Sequence, residues 1–469
     1  MKAEVHLVKE EVLLERDRFG LQSSYVAQAE GKMWYSSDLK ALLNSLPTRP
    51  ALDPIALHGY LCFSYVPNPL TLFQGVTALP AGSRYRLTPQ GIEPLGTRLW
   101  RELPPFATDE EEALQTLQAL LRDSVRKRLG EAKEVGVFLS GGLDSSLIAA
   151  LLHEAGARLR LYTLDFGAPW NAELPFAQQV AAHLGHPLTV VSASPSSVRF
   201  ALKTTVRAMH QPFGDGVTVP LMLLGQSASG RVETVFNGEG GDQLFGGWAN
   251  KPMIAAEMYG ERGYQREAGY LNTLHRFYGL TDSLYTPEMR RITADTDVGA
   301  WIRPALQGGE FSTLLHRLRA ANFTLKGAQN IAPRCVQIAA EQGLKVEAPF
   351  FDEALTEWSF SLPPEWFLQG ACEKYLLKRL ADHYLPSGVV WREKRGMGVP
   401  VTEWCLSALR RDIAHSLSPR HLKRQGLFQP AFVQGMLKGE MAPGDFRRRR
   451  LGEKLWAFWI YHLWQEEHA

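Results

Sequence analysis

Apolar residues in the first hundred positions alternate with polar ones over short runs, the period-two signature of half-buried strands. Val5–Val8, Glu11–Leu14, Ser24–Ala27 and Lys32–Tyr35 read as strands, separated by the turn signals Arg18-Phe19-Gly20 and Glu30-Gly31. Asp38–Leu43 and Asp53–Gly59 read as short helices, and Pro80-Ala81-Gly82 turns the chain into a further strand, Ser83–Leu87. The prolines and glycines of 89–105 predict a linker. From Asp109 the period lengthens. Asp109–Glu112 opens a helix that runs to Leu129-Gly130, its acidic residues at the positive end of the helix dipole. Strands follow at Val135–Leu139, Arg158–Phe166, His186–Val191 and Val232–Phe236. Between them lie helices that open at Asp144 and span Leu174–Leu184, Pro195–Met209 and Val219–Ser227. Such alternation predicts a parallel sheet covered on both faces, a doubly wound α/β fold. Ligands of such a sheet bind at the carboxyl ends of its strands. Residues beyond about 250 read as mostly helical. They end in an amphipathic helix whose apolar face carries Leu455, Phe458, Trp459 and Leu463 behind the basic run Arg447–Arg450. The chain therefore divides into a β-rich unit, residues 1–100, and an α/β unit, residues 109–469.

Composition narrows the function more than the fold. A length of 469 residues fits two or three domains, and 45% hydrophobic residues suffice for sizeable cores. With 51 basic against 49 acidic residues, no nucleic-acid surface is expected. No apolar run reaches a membrane span, and the opening residues carry no apolar signal core, so a cytoplasmic protein without a membrane partner is expected. Cys62, Cys335, Cys372 and Cys405 are scattered without a CxxC pair, which predicts reduced, buried thiols and no zinc site. The histidines show no metal-ligand spacing, and His210, before Gln211-Pro212, reads as a turn residue.

Two glycine-rich stretches carry the chemistry. In the first, the strand Val135–Leu139 stops at Ser140-Gly141-Gly142, and Asp144-Ser145-Ser146 begins a helix. A strand, a glycine turn and a helix N-terminus make an anion cradle of free N–H groups and hydroxyls. Asp144 would repel a phosphate unless a divalent cation lay between them, so the cradle reads as a site for Mg²⁺-pyrophosphate and hence a nucleoside triphosphate. It is not a Walker A loop, which has four residues between its glycines and then Gly-Lys-Ser/Thr. The second stretch, Asn237-Gly-Glu-Gly-Gly-Asp-Gln-Leu-Phe-Gly-Gly-Trp248, follows the strand ending at Phe236 and embeds Glu239 and Asp242. In a doubly wound sheet it opens on the same edge, so Asp144 and Asp242 can share one hard cation.

The first motif resembles the loop of ATP pyrophosphatases (adenine nucleotide α-hydrolase-like enzymes), and the two together resemble the synthetase domain of the asparagine synthetase family. The likeness continues through Val346–Asp352, Ser361–Pro364, Glu373–Lys378 and Trp391–Pro400. It implies that ATP adenylates a carboxylate, pyrophosphate leaves, and ammonia or an amine displaces AMP to form an amide. By this likeness Ser140, Gly141, Gly142, Asp144 and Ser145 hold pyrophosphate, and Asp144 and Asp242 hold Mg²⁺. Phe138, Leu164 and the backbone of Asn237-Gly238 wall the adenine. Lys394 neutralises charge developing at the α-phosphate, and Glu239 assists attack by the amine.

The chain also departs from the family. Arg16–Gly20, Asp53–Tyr60 and Ser64–Pro69 resemble only the later half of its glutaminase domain, no cysteine precedes Cys62, and the Asn-Gly-Glu motif that grips glutamine is missing. No glutaminase activity is expected without a nucleophilic thiolate. A misplaced start codon would produce the same loss. Nitrogen then comes from free ammonia, a separate protein, or an amine on the substrate. Lys345 and Glu347 exchange the family's usual charges, either as a compensated ion pair or as altered specificity. Gly216-Val217 stands where Pro-Ser is usual, and Gln243 where glutamate is usual. Three readings remain: a ligase amidating aspartate or a similar acid, a biosynthetic amide ligase such as a lasso-peptide cyclase, and a scaffold with a relic nucleotide site. Glu239 favours the first over β-lactam-forming relatives, which carry tyrosine there. The substrate is thus a small-molecule or peptide carboxylate, and a homodimer is an assembly left open.

Overall fold

The computed structural model describes residues 4–104, 109–247, 250–260, 265–274, 276–307, 311–393, 396–441 and 448–468. The α/β unit is built on five parallel strands: β8 (Glu134–Phe138), β9 (Arg158–Asp165), β10 (Leu188–Ser192), β11 (Thr234–Phe236) and β12 (Lys345–Glu347). Their order is β10-β9-β8-β11-β12. Side chains alternate between two cores, as a sheet buried on both faces requires. Leu159 and Leu161 of β9 join the core under α3 (Glu110–Leu129), α4 (Leu143–Glu154) and α5 (Leu174–Leu184). Tyr162 and Leu164 of the same strand join the core under α6 (Pro195–Ala208) and α7 (Thr218–Ala228). The doubly wound arrangement is therefore present, with bounds close to those the periodicity predicts.

The N-terminal unit stacks two antiparallel sheets. One has the order β1 (Val5–Leu7), β4 (Lys32–Ser36), β3 (Tyr25–Ala29), β5 (Val76–Ala78); the other, β2 (Val12–Glu15), β6 (Ser83–Thr88), β7 (Gly91–Thr97). The expected linker is corrected here, because β7 pairs with β6 within the first half of the stretch read as connection. Pro94 is tolerated because β7 is a sheet edge and the register shifts beside it. Residue 105, the last of that stretch, lies outside the described residues.

The two units share their cores. Helices α1 (Leu39–Ser45) and α2 (Pro54–Phe63) bury Leu42, Leu57 and Tyr60 in the same cluster as Trp456, Phe458 and Trp464 of the terminal helix Arg448–His468. Tyr60 Oη donates to the Ala457 carbonyl at 2.7 Å. Phe19 and Trp100 enter the opposite core, and Arg18 lies over Trp100 at 3.6 Å. Leu455, Phe458 and Trp459 are buried as the terminal periodicity predicts, and all four cysteines are free, three of them buried. No helix of the described residues is long and apolar enough to cross a membrane.

Candidate active site

Strand order reverses between β8 and β11, and both glycine loops leave the sheet at that switch point. A cavity of about 270 Å³ opens there. Phe138, Ser140, Gly142, Asp144, Ser145, Leu164, Gly238, Glu239 and Asp242 all line it, so most of the residues singled out in sequence converge. Gly141 does not line the cavity; its φ is 73°, and a β-carbon there would sit 2.4 Å from the Ala177 nitrogen, so it turns the loop against α5. Lys394 lies outside the described residues. Ser145 Oγ accepts from the Ser140 N–H at 3.1 Å and Ser140 Oγ from the Gly142 N–H at 3.1 Å, which folds the loop around the start of α4. Among the described residues no three His, Cys, Asp or Glu side chains gather as a metal cluster, so a cation here would draw further oxygen ligands from a phosphate and water.

The central group of the cavity is one the sequence reading assigned no role. Lys374 follows a minimal hairpin of β13 (Leu368–Gln369) and β14 (Cys372–Glu373) and has φ 57°, ψ 34°, a left-handed conformation uncommon for a residue with a side chain. Its side chain is 2% exposed. The ammonium donates to Asp144 Oδ1 at 2.7 Å and Oδ2 at 2.5 Å, and also pairs with Asp242. Burial acts to lower the Lys374 pKa, but the two carboxylates outweigh it and hold the ammonium charged. Asp144 and Asp242 therefore do meet on one cation, as two acids sharing a metal would. Lys378, one helical turn on, and Arg392 add positive charge to the cavity lining, Arg392 beside Gly142. Arg392 stacks 4.2 Å over Phe176 and pairs with Glu173 at 3.8 Å. The only sequence signal for this basic cluster was Lys374 and Lys378 at i, i+4; their burial was not legible.

Close approach explains the glycines of the second loop. A β-carbon on Gly241 would lie 2.6 Å from Asp144 Cγ, and one on Gly247 would lie 2.0 Å from Lys374 Cε. Gly247→Ala should therefore displace a lysine that is pinned by two acids. A fall in pyrophosphate release of about 10²-fold is expected with little change in thermal midpoint, since misplacing a charged group by an ångström costs on that order. Parallel kinetic and melting measurements check it.

Glu239 is held from behind. Arg334, 6% exposed, spans Asp215 Oδ2 and Glu239 Oε1 at 3.2 Å each. Asp215 Oδ1 accepts from the N–H groups of Val217 and Thr218 and the Thr218 hydroxyl, so it is a fixed anchor for the guanidinium. Burial raises the Glu239 pKa above the ordinary carboxylate range, Arg334 opposing and Asp242 adding to the effect. This arginine comes from the helix Ala332–Glu341, entered through a π-helical stretch, Phe323–Ile331. The remaining wall is apolar, formed by Phe138 and Leu164 with Leu224, Ile338 and Val346, a shape suited to a flat base.

The departures from the family pattern resolve unevenly. Lys345 Nζ pairs with Glu347 Oε1 at 2.8 Å, so the exchanged charges compensate each other locally. Gly216 and Val217 do not line the cavity; a β-carbon on Gly216 would collide with Val401 at 2.2 Å. Gln243 does line it, 6% exposed, with its carbonyl oxygen unpartnered. His210 sits away from it, 3.4 Å from Asp38 and 3.3 Å from the Tyr25 hydroxyl.

The chain matches a family model described as asparagine synthase over residues 116–466 and one described as a glutamine amidotransferase domain over residues 5–100. It is 28% identical to a putative asparagine synthetase (glutamine-hydrolyzing) of Mycobacterium tuberculosis, over 97% of this chain and 74% of that protein. It is 23% identical to asparagine synthetase (glutamine-hydrolyzing) 1 of Bacillus subtilis, over 96% and 74% respectively. Overlap with the solved NH3-dependent NAD synthetase of Campylobacter jejuni is 15% identical, covers 42% of this chain and 94% of that one, and has a TM-score of 0.24, too low to add to the topology.

Proposed function

The chain belongs to the asparagine synthase family and is a carbon–nitrogen ligase of the AMP-forming kind; we propose that it amidates a carboxylate, aspartate or a similar acid, without a glutaminase of its own. The convergence of both glycine loops at the switch point, with Asp144 and Asp242 on one cation, carries this reading.

ATP lies with its adenine against Phe138, Leu164 and Gly238, and its β- and γ-phosphates over the Ser140–Ser145 loop. The oxygen of the acceptor carboxylate attacks the α-phosphorus and the bond to pyrophosphate breaks. Lys374, Lys378 and Arg392 stabilise the departing charge. Mg²⁺ held by Asp144 and Asp242 would neutralise the same oxygens when bound. The nitrogen nucleophile then attacks the acyl carbon, Glu239 takes its proton, and the acyl carbon–oxygen single bond breaks so that AMP leaves with the bridging oxygen. Lys394 keeps its sequence-based assignment at the α-phosphate. Lys394→Ala is expected to lose turnover with little change in ATP affinity, because its charge matters most in the transition state. Steady-state kinetics beside ATP titration measures both.

Nitrogen is drawn from ammonia or an amine rather than glutamine. Within residues 5–100 there is one cysteine, Cys62, 1% exposed on α2, its thiol pushed up to about 12 by burial. Such a thiol is not a thiolate nucleophile. The test is ATP- and Mg²⁺-dependent pyrophosphate release with aspartate, with and without ammonium. Asparagine formed with ammonium supports the proposal. Asparagine formed with glutamine as sole nitrogen source would overturn the missing glutaminase. No release with aspartate, in protein shown by calorimetry to bind ATP, would overturn aspartate and direct the search to other carboxylates, peptide side chains included.

A further inference from the structure

The ammonium of Lys374 lies where a shared metal ion would. It is buried, it contacts both oxygens of Asp144, and it reaches Asp242. The backbone that carries it is fixed by the hairpin and by the start of the helix Tyr375–Ala381, so the side chain is the part free to change partner. Gly247 leaves no β-carbon beside its Cε. The same cavity wall holds Ser140, Gly142 and Arg392, where phosphate oxygens would offer the ammonium a second anionic resting place.

We propose that Lys374 is the resident counter-ion of the cation site, so that its ammonium and a divalent cation exclude each other between Asp144 and Asp242 until a nucleotide arrives. The proposal rests on the reading of those two acids as the metal pair. Magnesium takes carboxylate oxygens at about 2.0–2.1 Å, and the ammonium already fills the space between the oxygens that the two acids would present to it. A metal arriving alone would have to expel a buried cation that then has no acid to face, which is costly. A metal arriving with a triphosphate brings the anionic oxygens that receive the lysine on its four-carbon stem. The two acids and the buried lysine are thus never left uncompensated, and the metal enters with the nucleotide rather than ahead of it.

The experiment is Mn²⁺ binding to the full chain without nucleotide, read by electron paramagnetic resonance or calorimetry. Lys374→Met should bind Mn²⁺ about tenfold or more tightly than the unaltered protein. Asp144→Asn in the Lys374→Met background should abolish that gain. Mg·ATP, titrated separately, should bind Lys374→Met more weakly than the unaltered protein, so that the two affinities move in opposite directions. A lysine with only a packing role would weaken both. If Lys374→Met is poorly folded, Lys374→Gln and the rise in thermal midpoint on adding Mn²⁺ give the same readout, the variant gaining more than the parent. Folded Lys374 variants that bind Mn²⁺ no more tightly than the parent would overturn the exchange. A gain that survives Asp144→Asn would place the ion elsewhere and overturn the metal pair itself. Because no acceptor is needed, failure of amide synthesis leaves these outcomes readable.

Discussion

Asp144→Asn should abolish ATP-dependent pyrophosphate release, by at least about 10²–10³-fold, the scale of removing one preorganised electrostatic group from a dry site. Asparagine is the informative substitution and alanine is not. Asp144 is 15% exposed and holds a lysine that is 2% exposed, so Asp144→Ala would leave a buried ammonium with Asp242 as its remaining acid. Breaking a buried pair from one side costs about 3–5 kcal/mol, enough to confuse lost chemistry with lost fold. Asn keeps the shape against Gly241 and one acceptor for the ammonium. Asp242, 37% exposed, is less committed to the core, so Asp242→Asn should lose pyrophosphate release with a smaller change in thermal midpoint. Release at near-normal rate in either variant would remove the shared cation from the mechanism. Both variants are read by coupled pyrophosphate assay and by melting curves on the same preparations.

The part of this site that was legible in sequence is the part written in neighbouring residues. The run Val135–Leu139, the stop at Ser140-Gly141-Gly142 and the helix after it carry period, punctuation and chemistry within about twenty positions, and the fold places them as read. The nearness of Asp144 and Asp242 was also reachable, because a doubly wound sheet brings successive loops to one edge. Lys374 was not. Its strands are two residues each, and its function comes from being buried against an acid 230 positions earlier. Arg334 escaped for the same reason: Asp215, Glu239 and the arginine between them come from three separate elements. Strand β7 was missed on composition, since Pro94 argues against a strand only where a neighbour needs its N–H, and an edge does not. Gly216-Val217, which departs from the family pattern in sequence, packs against Val401 and does not line the cavity, a placement that depends on a residue distant along the chain.

Glu239→Gln separates the two half-reactions. If Glu239 receives the proton of the attacking amine, the glutamine variant should still adenylate its acid and release about one equivalent of pyrophosphate in a burst. Amide formation should then fall by about 10²–10⁴-fold, the range for loss of a general base. Pre-steady-state pyrophosphate release against amide yield reads both. A variant that loses the burst as well would assign Glu239 to phosphate or metal binding. The pH dependence supplies an independent sign. Burial lifts the Glu239 pKa above the ordinary carboxylate value, and Arg334 only partly offsets this. The base form is therefore lost as pH falls through a value higher than that of an exposed glutamate, and the acid limb of the amide-forming step should lie correspondingly high. Arg334→Met removes the larger of the two cationic influences that lower that pKa, Lys326 being the other, and should move the limb to still higher pH. Asp215 holds Arg334 through one oxygen while three donors hold the other, so the guanidinium is fixed for that task. An acid limb that stays in place in Arg334→Met, in protein that still releases its burst of pyrophosphate, would show that a group other than Glu239 accepts the proton.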